Sequence, residues 1–170
     1  KAHVQALRIA GLLSTEEAGK LDEALEAVPD LIVKAVTESE DPEEIFAEIE
    51  DVHMLVEQMV TQQLGEHGDK MHAGRSRNDL VVTDFRLWCL NEAGDIVDGV
   101  EMLLSTLVER AREGVTWVMP GLTHNRPAQV VTLGYHLMAH AFAFARDLER
   151  FYGWFERAAV SPLGAGALAT

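Results

Sequence analysis

At 170 residues, with 48% hydrophobic and 25% charged side chains, the chain has the composition of a folded globular domain and not of a disordered segment. Its formal net charge of −14, from 28 acidic and 14 basic residues, argues against nucleic acid or an anionic membrane as a partner. The single cysteine, Cys89, permits no disulfide within the chain, so we expect a cytoplasmic protein.

The first two predicted elements are helices with recognisable start or stop signals. Residues 2–11 are predicted to form a short helix that ends at a glycine. Ser14 and Glu17 have the spacing of a capping box, in which each side chain satisfies a backbone N–H group of the other residue. They predict a helix that runs to about Thr37.

A third helix is predicted to begin at Asp41-Pro42, because proline is favoured at the first helical position. Apolar residues at helical spacing continue it until it fades at Gly65: Ile45, Ile49, Val52, Val56 and Val60. Residues 66–78 are then predicted to form a loop.

The longest predicted element is a helix over residues 79–113. Its apolar stripe consists of Val81, Phe85, Trp88, Ile96, Val100, Leu103 and Leu107. A turn at residues 119–121 and a polar loop at residues 121–127 are predicted to follow, and then a second long helix that ends near Ala159. Residues 127–145 carry no formal charge, but their histidines and their proline favour a helix buried in a bundle over a membrane span.

No segment shows the strict alternation of a strand, so the predicted fold class is all-α, with long antiparallel helices. The predicted division of the chain follows from the loops. Residues 1–65 form an N-terminal helical region, and residues 66–170 begin a bundle of long helices.

The segment around two closely spaced arginines is the richest in hydrogen-bonding side chains, and two interpretations of it stay open. Arg75 and Arg77 each offer a planar fork of donors that matches a carboxylate, and Ser76 and Asn78 add directional hydrogen bonds. This combination suits the binding of a small polyanion. The alternative is a polar loop in which Asn78 or Asp79 caps the long helix.

Two further pairs of residues are candidates for chemistry. Thr123 and His124 lie in the second predicted loop, where a histidine could transfer a proton at neutral pH or have no task. Asp51 and His53 form either a surface pair or a carboxylate that orients a histidine of a site.

The remaining candidates favour structural roles. His136 and His140 have the i, i+4 spacing of a metal-binding pair, but the sequence offers no convincing third ligand, so we predict no metal site. Cys89 lies within a helical apolar pattern, which indicates a reduced thiol in the core.

Five segments resemble the argininosuccinate lyases of the fumarase/aspartase superfamily. They are Glu-Asp-Val-His-Met at 50–54, His-Ala-Gly-Arg-Ser-Arg-Asn-Asp at 72–79, Thr-Asp-Phe-Arg-Leu-Trp at 83–88, Met-Pro-Gly-Leu-Thr-His at 119–124 and Val-Ser-Pro-Leu-Gly-Ala-Gly-Ala-Leu-Ala at 160–169. The chain starts at Lys1 and stops at Thr170, and it contains neither the family's serine-containing entry segment nor the mobile loop that carries its catalytic serine. We therefore expect an internal fragment that lacks both ends and is inactive alone.

The resemblance implies a fold, a reaction and an assembly. Members are all-α homotetramers around a central bundle of long helices, and each active site is built from three subunits. They split argininosuccinate reversibly into arginine and fumarate during arginine biosynthesis, without a metal or an organic cofactor. The expected partners are thus a small-molecule substrate and further copies of the chain, with no nucleic acid and no membrane.

The resemblance also implies roles for individual residues. These are catalysis by Thr123 and His124, and substrate binding by Asp51, Ser76, Arg77, Asn78 and Arg126. The chain departs from the family at Asn125 and Arg126, where Leu-Gln is usual and the glutamine helps to bind substrate. This departure suggests one alternative, a sister lyase that acts on another succinyl adduct. A separate alternative is a non-catalytic helical protein comparable to the lens delta-crystallins.

Overall fold

The computed structural model describes residues 1–41, 45–47 and 49–166 of the chain. The chain divides into two compact units, one formed by Lys1–Val81 with Gly164–Thr170 and the other by Val82–Leu163. Both units are predominantly helical, which confirms the predicted fold class. The second unit also contains a β-hairpin that the hydrophobic pattern did not predict.

Short and medium-length helices build the described part of the first unit. They are α1 (Ala2–Ile9), α2 (Thr15–Glu38), α3 (Val52–Leu64) and α4 (Glu66–Asp69), followed by a 3-10 turn at Lys70–His72. The predicted loop at 66–78 is therefore partly helical. The capping box of α2 is confirmed, because the Ser14 hydroxyl accepts the N–H of Glu17 and the Glu17 carboxylate accepts the N–H of Ser14.

The core of the first unit lies where α1, α2 and α3 pack together. Leu21 and Val60 are fully buried, and burial of such a side chain contributes about 1.5–3 kcal/mol. The other buried members of this core are Val4, Leu7, Leu13, Ala18, Ala24, Val28 and Met71. Since Met71 belongs to the core, the segment with the two arginines begins from an anchored position.

The predicted third helix is interrupted: Ile45 and Phe46 are helical, but a new helix begins only at Val52. Pro42, the predicted start, lies outside the described residues, and Ile49–Asp51 are not helical. Asp51 instead caps α3, because its Oδ1 accepts the N–H of Met54 at 2.8 Å. An aspartate at this position satisfies an N–H group that the first turn leaves unpaired, which explains why the helix starts here.

Two long helices form most of the second unit. They are α5 (Arg77–Glu113), which begins within the first unit, and α6 (Leu133–Ala158). With 37 residues, α5 is about 55 Å long. Arg86, early in α5, donates to the carbonyl of Val160 beyond the end of α6, and the Tyr152 hydroxyl donates to Glu101 Oε1 at 2.6 Å. The two helices are therefore antiparallel, as predicted.

Much of the apolar stripe predicted for α5 is exposed in the single chain. Phe85, Trp88 and Ile96 are 61%, 57% and 52% exposed, and Phe142 of α6 is 61% exposed. Cys89 is only half-buried, so the prediction of a core thiol is wrong. Exposure of several large apolar side chains on long helices is typical of faces that another molecule covers.

A β-hairpin replaces the predicted turn and polar loop between the long helices. Strand β1 (Val118–Thr123) pairs antiparallel with β2 (Arg126–Thr132). His124 and Asn125 connect them, with φ angles of 47° and 60°. Two positive φ angles are what a type I′ turn requires, and its twist matches that of paired strands.

The hairpin also changes the interpretation of the uncharged stretch at 127–145. This stretch is divided between β2 and α6, so the prediction of one buried helix is wrong for its first residues. Within the described ranges, no helix is long and apolar enough to cross a membrane.

Both ends of the hairpin are fixed to the long helices. The N–H of Leu133 donates to the carbonyl of Trp117 at 2.9 Å, and the Thr132 hydroxyl caps α6. A Cβ atom on Gly134 would lie 2.5 Å from the carbonyl oxygen of Ala111. The start of α6 therefore packs directly against the end of α5, and the hairpin projects from a rigid base.

Replacing Asn125 with valine is expected to destabilise the hairpin. A β-branched side chain is strained at positive φ, where asparagine is tolerated, and left-handed backbone costs about 1–2 kcal/mol per residue. We expect the free energy of unfolding in urea to fall by this amount in Asn125→Val and to be retained in Asn125→Gly. Ala128→Val, placed on β2 outside the turn, is the matched control. An equal loss in both valine variants would contradict the assigned cause.

Candidate active site

Five ionisable side chains of the first unit form what we call the acid–arginine cluster: Asp51, Glu57, His72, Arg75 and Arg77. Glu57 lies at its centre. Its Oε1 accepts from Arg75 Nη2 at 3.2 Å and lies 2.8 Å from His72 Nδ1, while its Oε2 accepts from Arg77 Nη2 at 2.9 Å. Asp51 Oδ1 accepts from Arg77 Nη1 at 2.8 Å. Asp51 and Arg77, predicted separately from the sequence, are thus in direct contact.

Local structure brings these side chains together. Asp51 is the N-cap of α3, and Glu57 lies further along the same helix. Gly74, at a φ of 64°, makes the turn that precedes Arg75, and left-handed backbone of this kind favours glycine. Arg77 is the first residue of α5. The cluster is therefore built from the beginnings of two helices and one glycine turn.

Burial and charge act on the members of the cluster in different ways. The Arg75 side chain is only 10% exposed, and burial lowers the pKa of its guanidinium while Glu57 opposes this change. The hydrogen bond from the Met54 N–H lowers the pKa of the Asp51 carboxyl, and the charge of Arg77 adds to the effect. Asp51 is thus an anion at neutral pH, next to a permanently cationic guanidinium.

The other residues of the arginine segment occupy the first turn of α5 and the position before it. Ser76 is half-buried and Asn78 is exposed. Asp79 is 8% exposed, and its Oδ2 accepts the N–H of Gly166 at 2.8 Å. Because α5 begins at Arg77, Asn78 and Asp79 lie inside the helix, and the alternative in which either residue caps it is wrong.

The remaining predicted site residues lie at the tip of the hairpin. Thr123, His124 and Arg126 are all exposed there. Thr123 and Arg126 are cross-strand partners on either side of the turn. Thr123 also lines a groove with Gln129 and His136. The turn fixes the backbone of His124 and leaves its imidazole accessible to a ligand.

The predicted site residues therefore fall into two groups. One group, at Asp51 and residues 76–78, belongs to the first unit and includes the contact between Asp51 and Arg77. The other, at residues 123–126, belongs to the second unit and lies on adjacent positions of the hairpin.

Glu57 is the site residue that the sequence-based prediction missed. One local signal pointed to it, because Glu57 is the only Asp, Glu, Lys or Arg in the sequence of α3. An isolated charge on an otherwise uncharged helix favours a specific partner over general solvation. The identity of that partner depends on how α3 packs beside the start of α5, which no spacing in the sequence reveals.

The prediction for the histidine pair concerns metal binding. Among the residues that the structure describes, no group of three or more His, Cys, Asp or Glu side chains could hold a metal ion. The rings of His136 and His140 meet edge to face, with centroids 5.0 Å apart.

Comparisons with known sequences show that this chain is similar to lyases. A family model described as Lyase matches residues 1–170. The argininosuccinate lyase of Bacillus cytotoxicus is 39% identical over 168 residues, which cover 99% of this chain and 35% of that protein. The argininosuccinate lyase of Mycobacteroides abscessus is 42% identical over 169 residues, which cover 99% of this chain and 34% of that protein. The chain spans about a third of the length of the curated relatives it matches.

Comparisons with solved structures agree with the sequence comparisons. A variant of EDDS lyase with bound fumarate has a TM-score of 0.82 at 29% identity, over 96% of this chain and 31% of that one. A fumarate lyase from a Mesorhizobium species has a TM-score of 0.75 at 23% identity, over 92% of this chain and 36% of that one, and it shares the fold. These likenesses confirm the expected helical fold of the fumarase/aspartase superfamily.

Proposed function

The chain belongs to the lyase family whose model matches its whole length, and we propose that the complete protein is an argininosuccinate lyase. The proposed reaction is the reversible β-elimination that cleaves a C–N bond of argininosuccinate and yields arginine and fumarate. The names of the relatives at 39% and 42% identity support this choice of substrate. The proposal includes a cytoplasmic location and a reaction without a metal or an organic cofactor.

The observation that carries the proposal is the acid–arginine cluster, in which Arg77 is held at both terminal nitrogens by carboxylates. In the proposed reaction, a base removes a proton next to a substrate carboxylate, and negative charge accumulates on that carboxylate. Such a proton is weakly acidic, so fixed donors and positive charge supply much of the lowering of the barrier. We assign this role to Arg77, with Ser76 and Asn78 as additional donors.

The hairpin tip supplies the other proposed roles. We assign His124, oriented together with Thr123, to proton transfer or to a charge relay, because imidazole can accept and donate a proton near neutral pH. Asp51 is assigned to substrate binding beside Arg77. Arg126 is assigned to binding the arginine part of the substrate, which leaves when the C–N bond breaks.

The proposal also includes a homotetramer with active sites shared between subunits. The exposed apolar residues of α5 and α6 support it, since Phe85 and Trp88 alone leave two large aromatic side chains uncovered. Sharing of sites between subunits would mean that no single copy needs to supply every residue of one active site.

Fumarate formation, followed by its ultraviolet absorbance, tests the proposal. We expect the complete protein to release fumarate from argininosuccinate, and the 170-residue chain alone to release none. The reason is that the chain spans about a third of the length of its curated relatives and so holds only part of the proposed machinery. Fumarate release by the 170-residue chain would contradict the second expectation. A complete protein that forms no fumarate from argininosuccinate would overturn the proposed substrate.

A second candidate function is a sister lyase that acts on another succinyl adduct. Two observations favour it: the likeness to EDDS lyase at a TM-score of 0.82, and an arginine at position 126 where the family usually has glutamine. A guanidinium presents only donors, whereas a glutamine amide presents a donor and an acceptor, so Arg126 would suit a different leaving amine. Turnover of a panel of N-succinyl amines by the complete protein separates the two functions, because faster turnover of an adduct other than argininosuccinate would favour the second.

A further inference from the structure

We propose that Glu57 is a positioning residue that holds Arg77 in the orientation in which it stabilises negative charge on the substrate. The proposal rests on the proposed lyase function and concerns a residue to which the family resemblance assigns no role. Glu57 would not touch the substrate. Its effect would be transmitted through the guanidinium of Arg77.

The geometry around Arg77 is the first argument. Its Nη1 donates to Asp51 Oδ1 at 2.8 Å, and its Nη2 donates to Glu57 Oε2 at 2.9 Å. A single carboxylate contact would leave the planar group free to swing about that contact. Two contacts, from different points along α3, fix both the position and the plane of the guanidinium. A guanidinium has five N–H donors, so these two contacts leave further donors for a ligand.

The second argument is the charge balance between the two arginines. Glu57 uses one oxygen for Arg75 and the other for Arg77, so a single carboxylate separates two guanidinium groups that would otherwise repel each other. Arg75 is 10% exposed and Glu57 is 23% exposed, so solvent screens this arrangement less than it screens an ordinary surface ion pair. Without the Glu57 carboxylate, repulsion from Arg75 would displace the less buried Arg77.

Loss of this positioning has a distinct kinetic signature. A misplaced guanidinium stabilises the transition state less, which lowers kcat. A displaced Arg77 also binds the substrate less well, but removal of a carboxylate near an anionic substrate offsets this loss, so KM should change less than kcat. A general disturbance of the site would lower kcat and raise KM together.

The test uses the complete enzyme with Glu57→Gln, which keeps the size of the side chain but removes its charge. We expect kcat for fumarate formation to fall by about 10- to 100-fold, with a much smaller change in KM. Glu57→Asp, which keeps the charge but shortens the side chain, should retain an intermediate kcat. The matched control is Glu66→Gln, the same change in charge at an exposed residue of α4, and its kinetics should equal those of the wild type.

A double-mutant cycle with Arg77→Lys identifies the route of the effect. If Glu57 acts through Arg77, Glu57→Gln should lower kcat further by less than about threefold in the Arg77→Lys background. If Glu57→Gln lowered kcat by the same factor in the wild-type and the Arg77→Lys backgrounds, the proposal would be overturned. A variant that merely lost folded enzyme would give these equal factors. A wild-type kcat in Glu57→Gln would also overturn it. Absence of fumarate formation by the wild-type enzyme would instead refute the proposed function on which it rests.

Discussion

Replacement of His124 with asparagine in the complete enzyme is expected to lower kcat for fumarate formation by about 10²- to 10⁴-fold, the range that a positioned general acid or base contributes. The expectation depends on the place of His124 in the turn, where the backbone is fixed and the imidazole is exposed.

Asparagine is chosen because it tolerates positive φ, as the neighbouring Asn125 does at 60°. The variant therefore removes the imidazole without straining the turn, and its unfolding midpoint in urea should stay close to that of the wild type. His67→Asn provides the same chemical change at an exposed histidine beside Glu17, and it should leave kcat unchanged. A loss of less than tenfold in His124→Asn would count against the role assigned to His124.

Elements with local start signals could be predicted from the sequence. The capping box of Ser14 and Glu17 involves only residues three apart, so its hydrogen bonds form wherever the helix forms. The start of α3 shows the limit of such signals. Asp41-Pro42 and Asp51 both resemble helix starts, and the apolar spacing from Ile45 onwards joined them into one predicted helix. Asp51, whose side chain accepts the N–H of Met54 as the N-cap, was an equally good local signal. The continuous apolar periodicity concealed it.

The hairpin could not be predicted by the same reasoning. Pro120, Gly121 and Pro127 are all unfavourable within strands, and the turn is His-Asn and not the usual Asn-Gly. A shift in strand register after Gly121 also breaks the regular alternation of side chains. The strands form here because the ends of α5 and α6 hold them in place, which is a tertiary cause.

The candidate site was predicted in part for a related reason. Segments with several hydrogen-bonding side chains, such as the one around Arg77, are visible in the sequence. The partners of those side chains are not, because they depend on the packing of α3 beside the start of α5. The place of Glu57 in the site therefore became clear only through its contacts with Arg75 and Arg77.

Replacement of Arg77 with lysine is expected to lower kcat/KM for fumarate formation by about 10²- to 10³-fold, comparable to the loss of one donor that stabilises developing negative charge. Lysine keeps the positive charge but offers a single ammonium in place of a planar fork. In the free enzyme that fork already spans Asp51 and Glu57. One ammonium cannot span both carboxylates and also present donors in a fixed direction to a substrate.

The control for this prediction is Arg110→Lys, the same substitution on α5 at an exposed arginine that pairs with Glu113. It should leave kcat/KM unchanged, because solvent screens this exposed ion pair and Arg110 is assigned no role in binding. If Arg77→Lys kept more than a tenth of the wild-type kcat/KM, a positive charge at this position would be sufficient to lower the barrier. The arrangement of donors around Asp51 and Glu57 would then not be what lowers the barrier.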